Sequence, residues 1–216
     1  MPAKTSKLLI IGDGAFAEVA FEYFTVDTEH EVVAFAVERA YLTRTELFGV
    51  PVVAFEDMPA QFTPRDHAFY AALVYTEGNR LRSRLYRAAK QMGYRAASYI
   101  SPRAFVWRNV ALGEHVFVFE HNVIQPFAAV GNNVVLWSGN HVGHHSSIGD
   151  DSFVSSHVVM SGYARVGTSA FLGVNATISP QVKIGNDCTI GAGALILGDV
   201  PDGTTVVGSW RGKRTV

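Results

Sequence analysis

Every sixth residue from Ile100 to Ile196 is aliphatic or methionine. The series runs through Val106, Leu112, Val118, Ile124, Val130, Leu136, Val142, Ile148, Val154, Met160, Val166, Leu172, Ile178, Ile184 and Ile190 without a slip, seventeen positions in all. If about a third of residues were of this type, chance would give such a run roughly once in 10⁸ trials. A second series lies four residues after each member, from Ala104 to Val200, and contains nothing large or charged. Gly stands directly after the aliphatic position at 113, 131, 143, 149, 167, 173, 185 and 191, where a tight corner is expected to need it. Period six fits neither a helix nor an alternating strand. It predicts short flat strands joined by corners, three to a turn and stacked as a parallel β-helix, with both series pointing inward.

Residues 1–99 read differently. Lys7–Gly12 is predicted as a continuous apolar strand and Ala15–Tyr23 as a short helix. Glu31–Val37 and His67–Tyr75 are further strands, Asn79–Met92 is an Arg-rich helix, and strand Arg95–Ile100 follows. That order implies a small three-layer α/β unit with a parallel sheet, whose ligands sit at the carboxyl ends of the strands. Gly12-Asp13-Gly14-Ala15-Phe16-Ala17 matches G-x-G-x-x-A between strand and helix, a turn that lets backbone approach phosphate. Glu38 is spaced like a ribose-binding acid. Under 100 residues supply only half a dinucleotide fold, and no hydride-transfer constellation accompanies it. The expected division is therefore an α/β half-Rossmann unit at 1–99 and a β-helix at 100–216.

A formal net charge of −1 gives no reason to expect nucleic acid or an anionic membrane as partner. The single cysteine, Cys188, excludes an internal disulfide and fits a reducing cytoplasm. The first apolar run, Leu8–Ile11, is too short for a signal or membrane-spanning segment, so a soluble cytoplasmic protein is expected.

The pattern [LIV]-G-x-x-[small]-x across roughly 100–208 resembles that of the hexapeptide-repeat acyltransferases, whose prism is left-handed and which usually work as trimers. With a half-Rossmann unit in front, the chain resembles the branch that acetylates bacillosamine- and perosamine-type sugar nucleotides, with its sialic-acid-type relatives. The resemblance implies acetyl-coenzyme A as acyl donor, a nucleotide-linked amino sugar as acceptor, and active sites between protomers of a homotrimer. It puts Gly12, Asp13 and Gly14 near the diphosphate, and Val37, Glu38, Val74 and Tyr75 around the nucleoside. Asp13 and Phe16 depart from the more usual small or polar residues there, and YTEG at 75–78 looks longer than the usual turn.

Of eight histidines, His141, His144 and His145 crowd into five positions. A zinc site needs three or four ligands converging at about 2.0–2.1 Å. Neighbours on one corner diverge, and no cysteine or carboxylate is spaced to complete a shell, so no metal is expected. A base with near-neutral pKa suits acyl transfer to an amine better. The resemblance implies His144 as that base, two residues after ladder residue Val142. His145 stands where the family commonly has an acid to orient it. Asp150, Asp151 and Glu120 are candidates for that duty. Gly162, one coil on, would offer its N–H to the thioester oxygen. Gly173, Val174 and Ala192 are expected to continue the same edge as a pantetheine groove, and Trp210-Arg211-Gly212-Lys213-Arg214 to meet the 3′-phosphate of coenzyme A. His115 and His121 are read as solvated outward positions, His30 and His67 as solvated strand starts, and His157 as a further residue of the groove. An O-acetyltransferase and a non-catalytic or metal-dependent trimer are the alternatives.

Overall fold

The computed structural model describes residues 2–212. By internal packing the described residues up to Thr76, with Leu81–Tyr99, form one unit; Glu77–Arg80 and the chain from Ile100 form a second. No helix among the described residues is long and apolar enough to cross a membrane.

In the first unit, β1 (Ser6–Ile11), α1 (Ala15–Asp27), β2 (His30–Val37), β3 (Glu46–Leu47), β4 (Val50–Ala54), α2 (Met58–Gln61), β5 (His67–Ala71), α3 (Arg80–Gln91) and β6 (Arg95–Ala96) follow in order. The sheet order is β3-β4-β2-β1-β5-β6. β1 is central, and its Leu8–Ile11 are fully buried because both faces are covered. Leu9 and Ile11 share a core with Phe69 and with Leu85, Tyr86 and Ala89 of α3. On the other face α1 packs Phe24 against Tyr70 at 5.4 Å and Phe21 against Phe35 at 5.7 Å. The three layers are present, but the sheet is mixed rather than parallel, since β3 and β4 form an antiparallel hairpin. Its two turn residues, Phe48 and Gly49, have φ of 53° and 76°. A phenylalanine in that conformation carries no hairpin signal; it is held by stacking on Phe21 at 5.1 Å. The predicted strand 67–75 stops at Ala71. Arg95–Ile100 divides into β6 and Tyr99–Ile100, the latter the first strand of the β-helix.

The second unit is a parallel β-helix of two-residue strands in three sheets of seven, seven and five. Partners differ by eighteen residues, as in Val123↔His141, His141↔Val159 and Val159↔Thr177. The aliphatic series from Val118 to Ile196 is buried, and so is the small series from Val116 to Val200. Ile100, its first expected member, is exposed. Polar members of the small series donate to corner carbonyls: Asn122 Nδ2 to Phe119 O at 2.8 Å and Ser146 Oγ to Ser161 O at 3.0 Å. The eighteen-residue spacing fails at the end, where Ile184 pairs with Val200, Ile190 with Val206 and Ile196 with Trp210. A four-residue step from Ile196 to Val200 closes the last coil early, and Val200 takes over a large-residue position. Ile178 lies mid-stack with no exposed surface. Ile178→Ala is expected to cost about 2–5 kcal/mol in denaturant titration.

The corners correct the reading of the glycines. None of the eight that follow the aliphatic series has positive φ. They are small because the next coil is close: a Cβ on Gly143 would lie 2.6 Å from Gly162 N. The left-handed residue is instead three past each aliphatic position from Leu112 to Ile190, for example His115 (58°), His121 (60°), Phe127 (62°), His145 (59°), His157 (59°) and Tyr163 (63°). None of those residues is β-branched, and Asn, Asp and His tolerate the conformation best. Four of the β-helix histidines therefore stand where the backbone alone favours them.

Candidate active site

Corner geometry positions His144. Its backbone N–H donates to Gln125 Oε1 at 3.0 Å, and its carbonyl accepts from Tyr163 N at 2.9 Å, tying it to the coils below and above. The exposed imidazole lies over Gly162, where a Cβ would come within 2.7 Å of Cε1 and Nε2. Its Nδ1 is 3.1 Å from His145 Nδ1. His145 is the middle of an aromatic column, stacked on Phe127 at 4.7 Å and on Tyr163 at 4.7 Å. Tyr163 also meets His144 edge-on at 5.2 Å. Gly162 N donates no hydrogen bond among the described residues, so the glycine under the His144 ring carries an unengaged donor. His144, His145 and Gly162 thus come together. Gln125, Phe127 and Tyr163 were missed, although 127 and 163 lie eighteen residues either side of 145.

Gly173, Val174 and Ala192 do not continue that edge. Val174 and Ala192 lie twelve residues out of register with Gly162 and Gly173 eleven, on the adjoining corner, where Val174 and Ala192 are exposed. The same corner carries His157, whose ring covers Gly139. His141 sits half-buried on the strand between the two corners. The candidate orienting acids are engaged elsewhere. Glu120 accepts from Ser138 Oγ at 2.6 Å and Asp150 from Asn132 N at 2.8 Å. Asp151 is buried, accepting from Asn133 Nδ2 at 2.7 Å. Asn133 Oδ1 in turn accepts from Nδ1 of His115, which is fully buried rather than solvated. His121 is exposed as expected. His67 is buried, with Nδ1 2.9 Å from Thr63 O, and His30 is half-buried against Phe24 at 5.6 Å, its pKa lowered by burial.

In the first unit, the chain runs from β1 through β2 to β4 on one side and resumes at β5 on the other, so the β1/β5 boundary is a topological switch point. Gly12 follows β1 with φ of 110°, and a Cβ there would meet Ala72 O at 3.1 Å. Gly14 opens α1 with no side-chain cap and with open space before it. A bare, exposed helix N-terminus favours an anion. Asp13 adds a negative charge beside it, paired with Arg44 at 3.3 Å, while Phe16 turns inward against Tyr70 at 6.2 Å. Val37 is buried; Val74 and Tyr75 are exposed past the end of β5. Glu38, spaced like a ribose-binding acid, is held by both terminal guanidinium nitrogens of Arg84 at 2.8 and 2.9 Å. That pair keeps its carboxyl below the usual carboxylate range.

Among the described residues no group of three or more His, Cys, Asp or Glu is placed to hold a metal. Cys188 is buried in the small series, which pushes its thiol pKa up and makes it a poor nucleophile. Trp210 is anchored by Nε1–H to Asp199 O at 3.0 Å and Arg211 is exposed, while Lys213 and Arg214 lie outside the described residues.

Among known families, the one described as bacterial transferase hexapeptide (six repeats) matches residues 163–198. A mutant perosamine N-acetyltransferase from Caulobacter crescentus, solved with CoA and GDP-perosamine, is 30% identical with a TM-score of 0.84, covering 96% of each chain. PerB from the same organism, with the same ligands, is 29% identical with a TM-score of 0.81 over 94% of each chain. The acetyltransferase domain of PglB from Neisseria gonorrhoeae, in complex with acetyl coenzyme A, is 25% identical with a TM-score of 0.81, over 92% of this chain and 94% of that one. No curated protein matches the chain.

Proposed function

The chain belongs to the sugar-nucleotide N-acetyltransferase branch of the left-handed β-helix, hexapeptide-repeat acyltransferases, and we propose that it moves an acetyl group from acetyl-coenzyme A to the amine of a nucleotide-linked amino sugar. The observation that carries this reading is the seating of His144 over Gly162, a base beside an unengaged N–H. His144 Nε2 takes the proton from the sugar nitrogen as its lone pair forms the new C–N bond at the acyl carbon. The Gly162 N–H donates to the acyl oxygen as charge gathers there. The C–S bond then breaks, and the departing thiolate is neutralised by the proton held on His144. Acetyl-coenzyme A is a substrate here, consumed in each turnover. Gly173, Val174 and Ala192, none of them bulky and the last two exposed, suit the passage of its pantetheine arm on the adjoining corner.

The first unit holds the nucleotide diphosphate at Gly12, Asp13 and Gly14, with Val37, Glu38, Val74 and Tyr75 around the nucleoside. Support comes from the uncapped start of α1 and from its place at the switch point. The assembly is a homotrimer with active sites between protomers, which brings the two corners of different copies together. Exposed Phe105, Val159 and Leu195 on the strand face between those corners, with exposed Trp107 just past that face, support it. The cytoplasm supplies the acyl donor and keeps Cys188 reduced.

The test is thiol release from acetyl-coenzyme A by purified protein, first sized by light scattering, across UDP-, GDP- and dTDP-linked amino sugars and their hydroxy counterparts. A mass of three chains and release with an amino sugar alone are expected. Release only with a hydroxy sugar would make it an O-acetyltransferase, and no release with any would overturn the reading.

A further inference from the structure

Two imidazoles face each other through Nδ1 at 3.1 Å, a separation that requires one N–H between them. Two arrangements satisfy it. With the proton on His144 Nδ1, His144 Nε2 carries a lone pair and His145 accepts. With the proton on His145 Nδ1, His144 must carry its own on Nε2 and is no base. Resting on the reading of His144 as base, we propose that His145 is its positioning residue. Its bare Nδ1 holds His144 in the Nδ1–H tautomer and keeps Nε2 free against Gly162.

His145 is built to hold this aim. Its backbone is in the left-handed conformation, φ 59°, which brings consecutive side chains of one corner together. Its ring cannot swing away, because Phe127 and Tyr163 sandwich it with interplanar angles of 24° and 12°. From the coil below come Gln125 and Phe127, and from the coil above Gly162 and Tyr163; Tyr163 is the titratable group among them. Neither imidazole joins an ion pair among the described residues. The acceptor is therefore neutral, where a carboxylate would also stabilise the imidazolium formed as His144 takes its proton. A proton added to either ring removes the base: on His144 directly, or on His145 by turning its Nδ1 into a donor. The site is an acyltransferase base supported by a second imidazole that must itself stay uncharged.

Three variants and one spectrum test this. Asn and Asp place Oδ1 about where His places Nδ1, and both residues occupy left-handed corners of this chain at Asn133 and Asp151; Phe does so at Phe127. His145→Asn keeps a neutral acceptor and is expected to retain kcat/KM within about threefold. His145→Phe keeps the stack, loses the acceptor and is expected to lose about 10–100-fold, by analogy with the cost of removing the outer partner of a metal-ligating histidine. His145→Asp supplies a charge and should raise the midpoint of the acid limb of kcat/KM by about 1–3 pH units. Phe tolerated while Asn fails would reduce His145 to packing and overturn the proposal. The ¹⁵N spectrum of the unliganded protein at neutral pH should show Nδ1–H on His144 and Nε2–H on His145. The reverse pattern would overturn it too. Because that spectrum needs no substrate, a correct tautomer pair without thiol release would count against the acetyltransferase reading alone.

Discussion

Alanine at position 144 is expected to lower kcat/KM by about 10²–10⁴-fold, the usual contribution of a positioned general base, while the fold stays intact. His144 spends its backbone groups on Gln125 and Tyr163, and alanine keeps both bonds. Its side chain is exposed and, among the described residues, makes one side-chain hydrogen bond, to His145. Stability should therefore change by no more than about 0.5 kcal/mol, as for surface positions generally. The acid limb of the pH profile should vanish with the imidazole, leaving a low, flat residual rate. Steady-state kinetics with the best acceptor, beside thermal melts, would check both halves. Near-normal turnover would remove His144 from the mechanism, and a parallel loss of stability would make its role structural.

The architecture of the second unit was legible because a stacked coil imposes its period on the chain directly. Each aliphatic residue from Val118 to Ile196 must fill the same slot in the prism. The shortened last coil was hidden because Val200 fits either series, and only its pairing with Ile184 shows which slot it fills. The glycines were found for the wrong reason. Sequence marks a small residue, but cannot distinguish a torsion that needs glycine from a neighbouring coil that leaves no room for Cβ. The hairpin of β3 and β4 carried no turn signal, since stacking on Phe21 rather than local preference holds Phe48 in place.

The site was half legible by the same measure. Counting eighteen residues from His144 led to Gly162, and counting both ways from His145 leads to Phe127 and Tyr163. Val174 and Ala192 fail that count and sit one corner away. The same count leads from His115 to Asn133 and on to Asp151, buried partners that were passed over, whereas the Arg84 clamp on Glu38 joins residues to which no periodicity points. The count also pairs the candidate acids away from His144, Glu120 with Ser138, Asp150 with Asn132 and Asp151 with Asn133.

Two glycines of the same corner should separate catalysis from folding. In Gly162→Ala the added Cβ meets Cε1 and Nε2 of His144 at 2.7 Å, and the backbone is not in the left-handed region. The atoms in its way belong to an exposed ring that can rotate, so the clash is relieved by displacing the base. Stability should hold within about 0.5 kcal/mol, while kcat/KM falls by about 10²-fold, the cost of misplacing a catalytic group by about 1 Å. The variant keeps the Gly162 N–H, so the loss would report the position of His144 and not the oxyanion donor. In Gly143→Ala the Cβ meets Gly162 N at 2.6 Å and Ser161 C at 2.7 Å, both backbone atoms of the next coil. Those atoms cannot move without parting the stack, and a destabilisation of about 1–3 kcal/mol is expected from overpacking. If Gly162→Ala loses activity only in step with its melting temperature, the seating of His144 over that glycine is packing, and the base must be sought elsewhere.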